Sequence, residues 1–117
     1  MNMDELAHRI NARYFPPTGQ CCKEVTNIHA ADTISSLIAN ATPSTLLVTS
    51  LNNNQLIRVA ELMDAPGLCL VGGVRPSPEL IACAQQAGAP LMVSPLDLEE
   101  TRRMLEACLQ QPKPGAA

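Results

Sequence analysis

Residues Leu68-Cys69-Leu70-Val71-Gly72-Gly73-Val74-Arg75-Pro76-Ser77-Pro78-Glu79 pass from four apolar side chains, through paired glycines, into a helix start. An apolar run this short, with no polar alternation, suits a strand covered on both faces. Glycine has no Cβ, so the backbone can turn tightly and come close to a ligand or partner. Ser77 is placed to cap the next helix, with Pro78 at its first position. The stretch therefore reads as the mouth of an α/β unit, a place for binding that by itself specifies no chemistry.

The same rhythm extends on both sides. Upstream, Thr45 to Thr49 is predicted as a strand and Asn54 to Asp64 as a helix; the central strand covers Leu68 to Val71. Downstream, Ser77 to Ala87 reads as a helix stopped by Gly88 and Pro90 to Val93 as a short strand. Ser94-Pro95 or Asp97 then caps a last helix ending near Leu109. Before the regular part, spacing at Leu6 and Ile10 predicts a helix from about Met3 to Arg13, closed by Pro16-Pro17. Val25 and Ile28 give a sparse strand signal, and Asp32 or Thr33 caps a helix through Ile34, Leu37 and Ile38 that stops at Pro43. Apolar strands separated by amphipathic helices imply a single α/β domain over residues 1–110, with a short, mainly parallel sheet and flanking helices. Residues 111–117 lack a core-forming pattern and are expected to be a flexible tail.

At 117 residues the chain can build one core and not two. Its aromatics are only Tyr14 and Phe15, so that core must be aliphatic. A formal charge of -3 and a pI near 5.2 leave no phosphate-tracking basic surface, and two adjacent aromatics make no stacking platform, which argues against nucleic acid. Five cysteines, Cys21, Cys22, Cys69, Cys83 and Cys108, form no C-x-x-C pair and have no His at metal-ligand spacing. They read as free thiols of a reducing compartment, Cys69, Cys83 and Cys108 as small hydrophobes. No signal-peptide run or membrane-length segment is present, so a cytoplasmic protein without membrane contact is expected.

In open parallel sheets ligands bind beyond the carboxyl ends of the strands. That edge would collect Thr49, Ser50, Asn52, Asn53 and Asn54, then Gly72, Gly73 and Arg75, then Ser94. Backbone amides at the glycines and at the Ser77 helix start, beside Arg75, suit an anion such as a nucleotide phosphate or a carboxylate. Turn chemistry accounts for the same residue types, with the asparagines capping a helix and the glycines making a tight strand-to-helix turn. Neither G-x-x-x-x-G-K-[ST] nor G-x-G-x-x-G occurs. His8 and His29 have no neighbouring nucleophile or carboxylate pattern, and Asp97, Glu99 and Glu100 fit a helix first turn, where they interact favourably with the macrodipole. The Glu99–Arg103 spacing predicts an ion pair along the last helix. No catalytic residues, metal site or cofactor are implied.

Over about two-thirds of the chain the order of these motifs resembles the DRTGG domain family. The likeness rests on Leu47-Val48-Thr49, Leu56 to Ala60, Leu70-Val71-Gly72-Gly73 with Pro76-Ser77-Pro78-Glu79, Ala84 with Gly88 and Pro90, and Ser94 with Glu99 to Thr101. Asn52 and Asn53 stand where the family usually has Asp-Arg, and Val71 where it has Thr; Arg75 brings a positive group just beyond the glycines. The resemblance implies a fold related to the N-terminal domain of HPr kinase/phosphorylase. Related accessory domains occur in phosphotransacetylases and CBS-containing pyrophosphatases, and stand-alone members are encoded near iron-only hydrogenases. It further implies a non-catalytic regulatory or protein-interaction module, homodimeric, docking on a hydrogenase-associated enzyme or one of acyl-phosphate metabolism. The alternative is a small-molecule sensor that binds a nucleotide or other anionic metabolite at the strand edge.

Overall fold

In a computed structural model, which describes residues 2–15, 24–51 and 55–110, the chain forms a five-stranded mixed sheet between two helical layers. The elements in chain order are α1 (Met3–Arg9), β1 (Arg13–Phe15), β2 (Asn27–Ala30), α2 (Ile34–Asn40) and β3 (Thr45–Thr49). They continue with α3 (Gln55–Leu62), β4 (Leu68–Leu70), α4 (Pro78–Gln86), β5 (Leu91–Val93) and α5 (Leu98–Gln110). The strand order is β1-β5-β4-β3-β2, with β2 to β5 parallel and β1 antiparallel to β5. The mainly parallel α/β fold expected from the sequence is therefore the one formed.

Side-chain alternation explains why β3 to β5 are apolar at nearly every position. Leu47, Leu68, Leu70, Leu91 and Val93 face one way and pack with Leu37 of α2, Leu56 and Ile57 of α3, and Leu80 and Ala84 of α4. Leu46, Val48, Cys69 and Met92 face the other way and pack with Met3 and Leu6 of α1 and Leu105 of α5. Crossovers of one hand that step in one direction along the sheet must lay their helices on one face, which is why α2, α3 and α4 share a layer. The opposite face is left to the first and last helices.

Local capping fixes the helix ends. Asn2, Thr33 and Ser77 accept from the amides of Glu5, Ser36 and Leu80 at 2.9, 3.3 and 3.1 Å. Asp97, one of the two candidate caps of the last helix, takes the Glu100 amide at 2.8 Å. Three helices end on a residue in the left-handed region: Asn11 at φ 59°, Asp64 at 55° and Gly88 at 73°. Each is followed by an amide reaching five residues back, Ala12 to Ala7, Ala65 to Ala60 and Ala89 to Ala84.

The first of these stops corrects the sequence reading of the N-terminal helix. The helix ends at Arg9 rather than near Arg13, because Asn11 adopts a conformation that asparagine tolerates and most residues avoid. The chain then turns into β1, whose Arg13, Tyr14 and Phe15 pair with Val93, Met92 and Leu91. The Pro16-Pro17 loop, Cys21-Cys22 and the tail lie outside the described residues.

Gly67 supports this arrangement by close packing. A Cβ there would lie 2.6 Å from Met3 Cε and 2.8 Å from the Pro90 carbonyl oxygen. Methionine can move and the backbone carbonyl cannot, so Gly67→Ala is expected to destabilise the fold by about 1–3 kcal/mol. Urea denaturation checks this through a lower midpoint at unchanged slope.

Candidate functional site

The carboxyl ends of β3, β4 and β5 bring Thr49, the two glycines and Ser94 to one edge, as the parallel order requires. The hydroxyls there hold the chain itself. Thr49 is buried, and its Oγ1 accepts from the Leu51 amide at 3.1 Å. Ser94 is buried too; its Oγ accepts from the Leu96 amide at 3.2 Å and lies 2.9 Å from Thr101 Oγ1 in the first turn of α5. Ser50 Oγ donates to Asp32 Oδ1 at 2.6 Å. Asn52, Asn53 and Asn54 lie outside the described residues.

The paired glycines adopt the left-handed backbone that the turn demands, φ 76° at Gly72 and 64° at Gly73. The anion reading would leave their amides available and the turn reading would not; the structure engages both internally. Gly72 N–H donates to the Leu96 carbonyl at 2.6 Å and Gly73 N–H to the Ser94 carbonyl at 2.9 Å. The reason is topological: β4 and β5 are neighbours, so the loops leaving them run side by side and satisfy each other's backbone. Of the two sequence readings, an anion site or a tight strand-to-helix turn, this bonding is that of the turn, clamped to the neighbouring loop.

Arg75 remains at this edge and is exposed, on the wall of a cleft of about 280 Å³. Gly73, Val74 and Arg75 form one side, Val93 and Pro95 the base, and Asn11 and Arg13 the other side. Sequence reasoning missed Arg13 and Asn11, since both fall inside the overlong first helix. The signal was present in Asn11, a common helix terminator, followed by Tyr-Phe. Arg13 comes to the cleft because β1 pairs antiparallel with β5, opposite Val93. Its guanidinium carbon sits 5.6 Å from the centroid of the Phe15 ring, on the same face of the strand, which holds it by a cation–π contact. No Asp or Glu is among the described residues lining the cleft. A second hollow of about 270 Å³, between β2 and the end of α5, has Glu106 and no cation among the described residues of its wall.

Elsewhere the titratable groups are structural. Burial pushes the Cys69 thiol up to about 12 and leaves it unreactive. Cys83 and Cys108 are half-buried free thiols, and among the described residues no group of His, Cys, Asp and Glu could hold a metal. His29 Nε2 lies 3.2 Å from Ser36 Oγ, and His8 is exposed. On α5 the expected Glu99–Arg103 pair forms at 3.4 Å, but Arg102 binds Glu99 more closely, at 2.6 Å, and also Glu106 at 3.0 Å. These bonds lower the Glu99 carboxyl below the usual range. No helix among the described residues is long and apolar enough to cross a membrane.

The fold and its glycine edge define a small α/β domain with a mainly parallel sheet. The sequence model of the DRTGG domain matches residues 5–108, and the chain belongs to that family. Among solved structures, the CBS and DRTGG domains of the regulatory region of Clostridium perfringens pyrophosphatase, complexed with the activator diadenosine tetraphosphate, share the fold. The TM-score is 0.65 at 14% identity, and the match covers 89% of this chain and 45% of that one, so the chain spans less than half of that structure. No curated protein matches the sequence.

Two outcomes follow from this chemistry. Thr101→Val, which removes the partner of the buried Ser94 hydroxyl, should lower stability by about 1–3 kcal/mol in denaturant titrations. Cys69 keeps its proton in the folded state up to about 12, whereas the unfolded chain releases it near its ordinary value of about 8.5. Its contribution is therefore fully present below about pH 8.5 and is lost as the pH rises toward 12. Unfolding free energies measured from pH 8 to pH 11 should fall, and less steeply in Cys69→Ala.

Proposed function

We propose that this chain is a non-catalytic regulatory module whose state is set by an anionic ligand of the nucleotide type and passed to a partner enzyme. The observation that carries the reading is the shared fold with a DRTGG-containing regulatory region bound to a dinucleotide activator. The chemistry of the strand edge agrees, because its serine and threonine hydroxyls are engaged in turns and its buried thiol stays protonated, while an arginine cleft opens beside them. The partner enzyme is a proposal of the same kind. The family resemblance suggests one associated with a hydrogenase or with acyl-phosphate metabolism, in the cytoplasm.

The working unit in this reading is a homodimer. Leu62, 83% exposed at the end of α3, and Ile38, 46% exposed on the adjacent α2, leave aliphatic surface uncovered on the crossover-helix layer. A dimer of this size would bury roughly 1,200–2,000 Å² in total.

Light scattering, repeated with nucleotides and phosphorylated metabolites, tests both parts. The expected result is a dimer whose thermal stability rises with one ligand, by about 2.7 kcal/mol at 100 times its Kd. A monomer indifferent to every ligand would overturn the reading. Leu62→Asp is expected to shift the mass toward the monomer while leaving the circular-dichroism spectrum unchanged.

A further inference from the structure

We infer that the cleft between Arg13 and Arg75 is a binding site for a polyphosphate anion, carried by a nucleotide or free. The inference rests on the sensor reading above and moves the site from the glycine amides to the arginines. In a chain of net charge -3, this cleft gathers two guanidinium groups from positions 62 residues apart. β1 supplies one and the loop after β4 the other, and β5 lies between them.

Two features set the class of ligand. A guanidinium presents paired in-plane N–H donors that match phosphate oxygens bidentately, and two such groups call for an anion with several oxygens. Arg13 is held beside the Phe15 ring, its guanidinium carbon 5.6 Å from the ring centroid. Asn11 adds a neutral amide on the same side. The second feature is size. At about 280 Å³ the cleft is smaller than the roughly 300–1,000 Å³ pockets that enclose drug-sized ligands, so it suits a phosphate chain and leaves a nucleoside outside.

The position also gives the site an output. Gly73 and Pro95 line the cleft, and Gly73 donates to Ser94, whose hydroxyl meets Thr101 at the start of α5. An anion drawing Arg75 toward Arg13 would bear on the clamp between the two loops and thus on the seat of that helix.

Isothermal titration of the full chain with ATP, tripolyphosphate and adenosine tests the assignment, using Arg13→Gln, Arg75→Gln and, as a control on the exposed face of α3, Arg58→Gln. Binding of ATP and tripolyphosphate without adenosine is expected, weakened at least about tenfold by each cleft substitution and unchanged in the control. Tripolyphosphate alone would identify a free polyphosphate as the ligand, and ATP alone a nucleotide. Melting temperatures without ligand check that each variant is folded. Binding that survives both cleft substitutions, or falls equally in Arg58→Gln, would overturn the site and leave the sensor reading standing. No binding of either anion by the parent would overturn both, and adenosine binding as tightly as ATP would overturn the polyphosphate assignment.

Discussion

Burial of both faces of β3, β4 and β5 is the constraint on which the rest of this structure depends. A strand covered on both sides must be apolar at successive positions, and it must have helices above and below. In a chain this short, three crossover helices can cover only one face. The other needs α1 and α5 from the ends of the sequence, so the termini of the described domain close the core rather than hang from it. Leu6, Leu105 and Met92, far apart in sequence, meet there with no measurable exposure.

The same arrangement decides what the strand edge can do. Parallel neighbours send their exit loops out side by side, and backbone groups in adjacent loops must find partners. At β4 and β5 they find each other, through Gly72 with Leu96 and Gly73 with Ser94. A glycine pair at a strand end is thus compatible with two opposite outcomes, amides offered to a ligand or amides closed on a neighbour, and the second holds here. The proposed anion site therefore rests on side chains, with Arg75 two residues beyond the clamp and Arg13 across β5.

The proposed regulatory reading draws on a two-faced sheet, a loop clamp that seats a helix, and uncovered aliphatic side chains on the crossover layer. The coupling would run through packed and hydrogen-bonded groups, from the arginine cleft by way of Gly73, Ser94 and Thr101 to α5, whose Leu105 is in the core and whose outer face carries the Glu99–Arg102–Glu106 ion pairs.

Much of this was legible in the sequence because it follows from near-neighbour physics. The apolar run Leu46-Leu47-Val48, the Ser77-Pro78 start, the Gly88 stop and the spacing of Leu56, Ile57 and Ala60 each determine a strand, a cap, an end or a buried face within a few residues. Resemblance to the family was carried by the order of these local signals. What only the tertiary structure decided concerns pairings between distant segments. Arg13 to Phe15 are too few to show a strand period, and they become one because β5 offers an open edge to pair with. The glycine amides could be read either way since no local rule says which carbonyl will lie opposite, and Arg13 and Arg75 come to one cleft only once β1 has docked. Sequence by itself determined the elements and the two-sided sheet, since helix and strand periods are local; the fold decided the site, since its charges and hydrogen-bond partners come together only when the sheet closes.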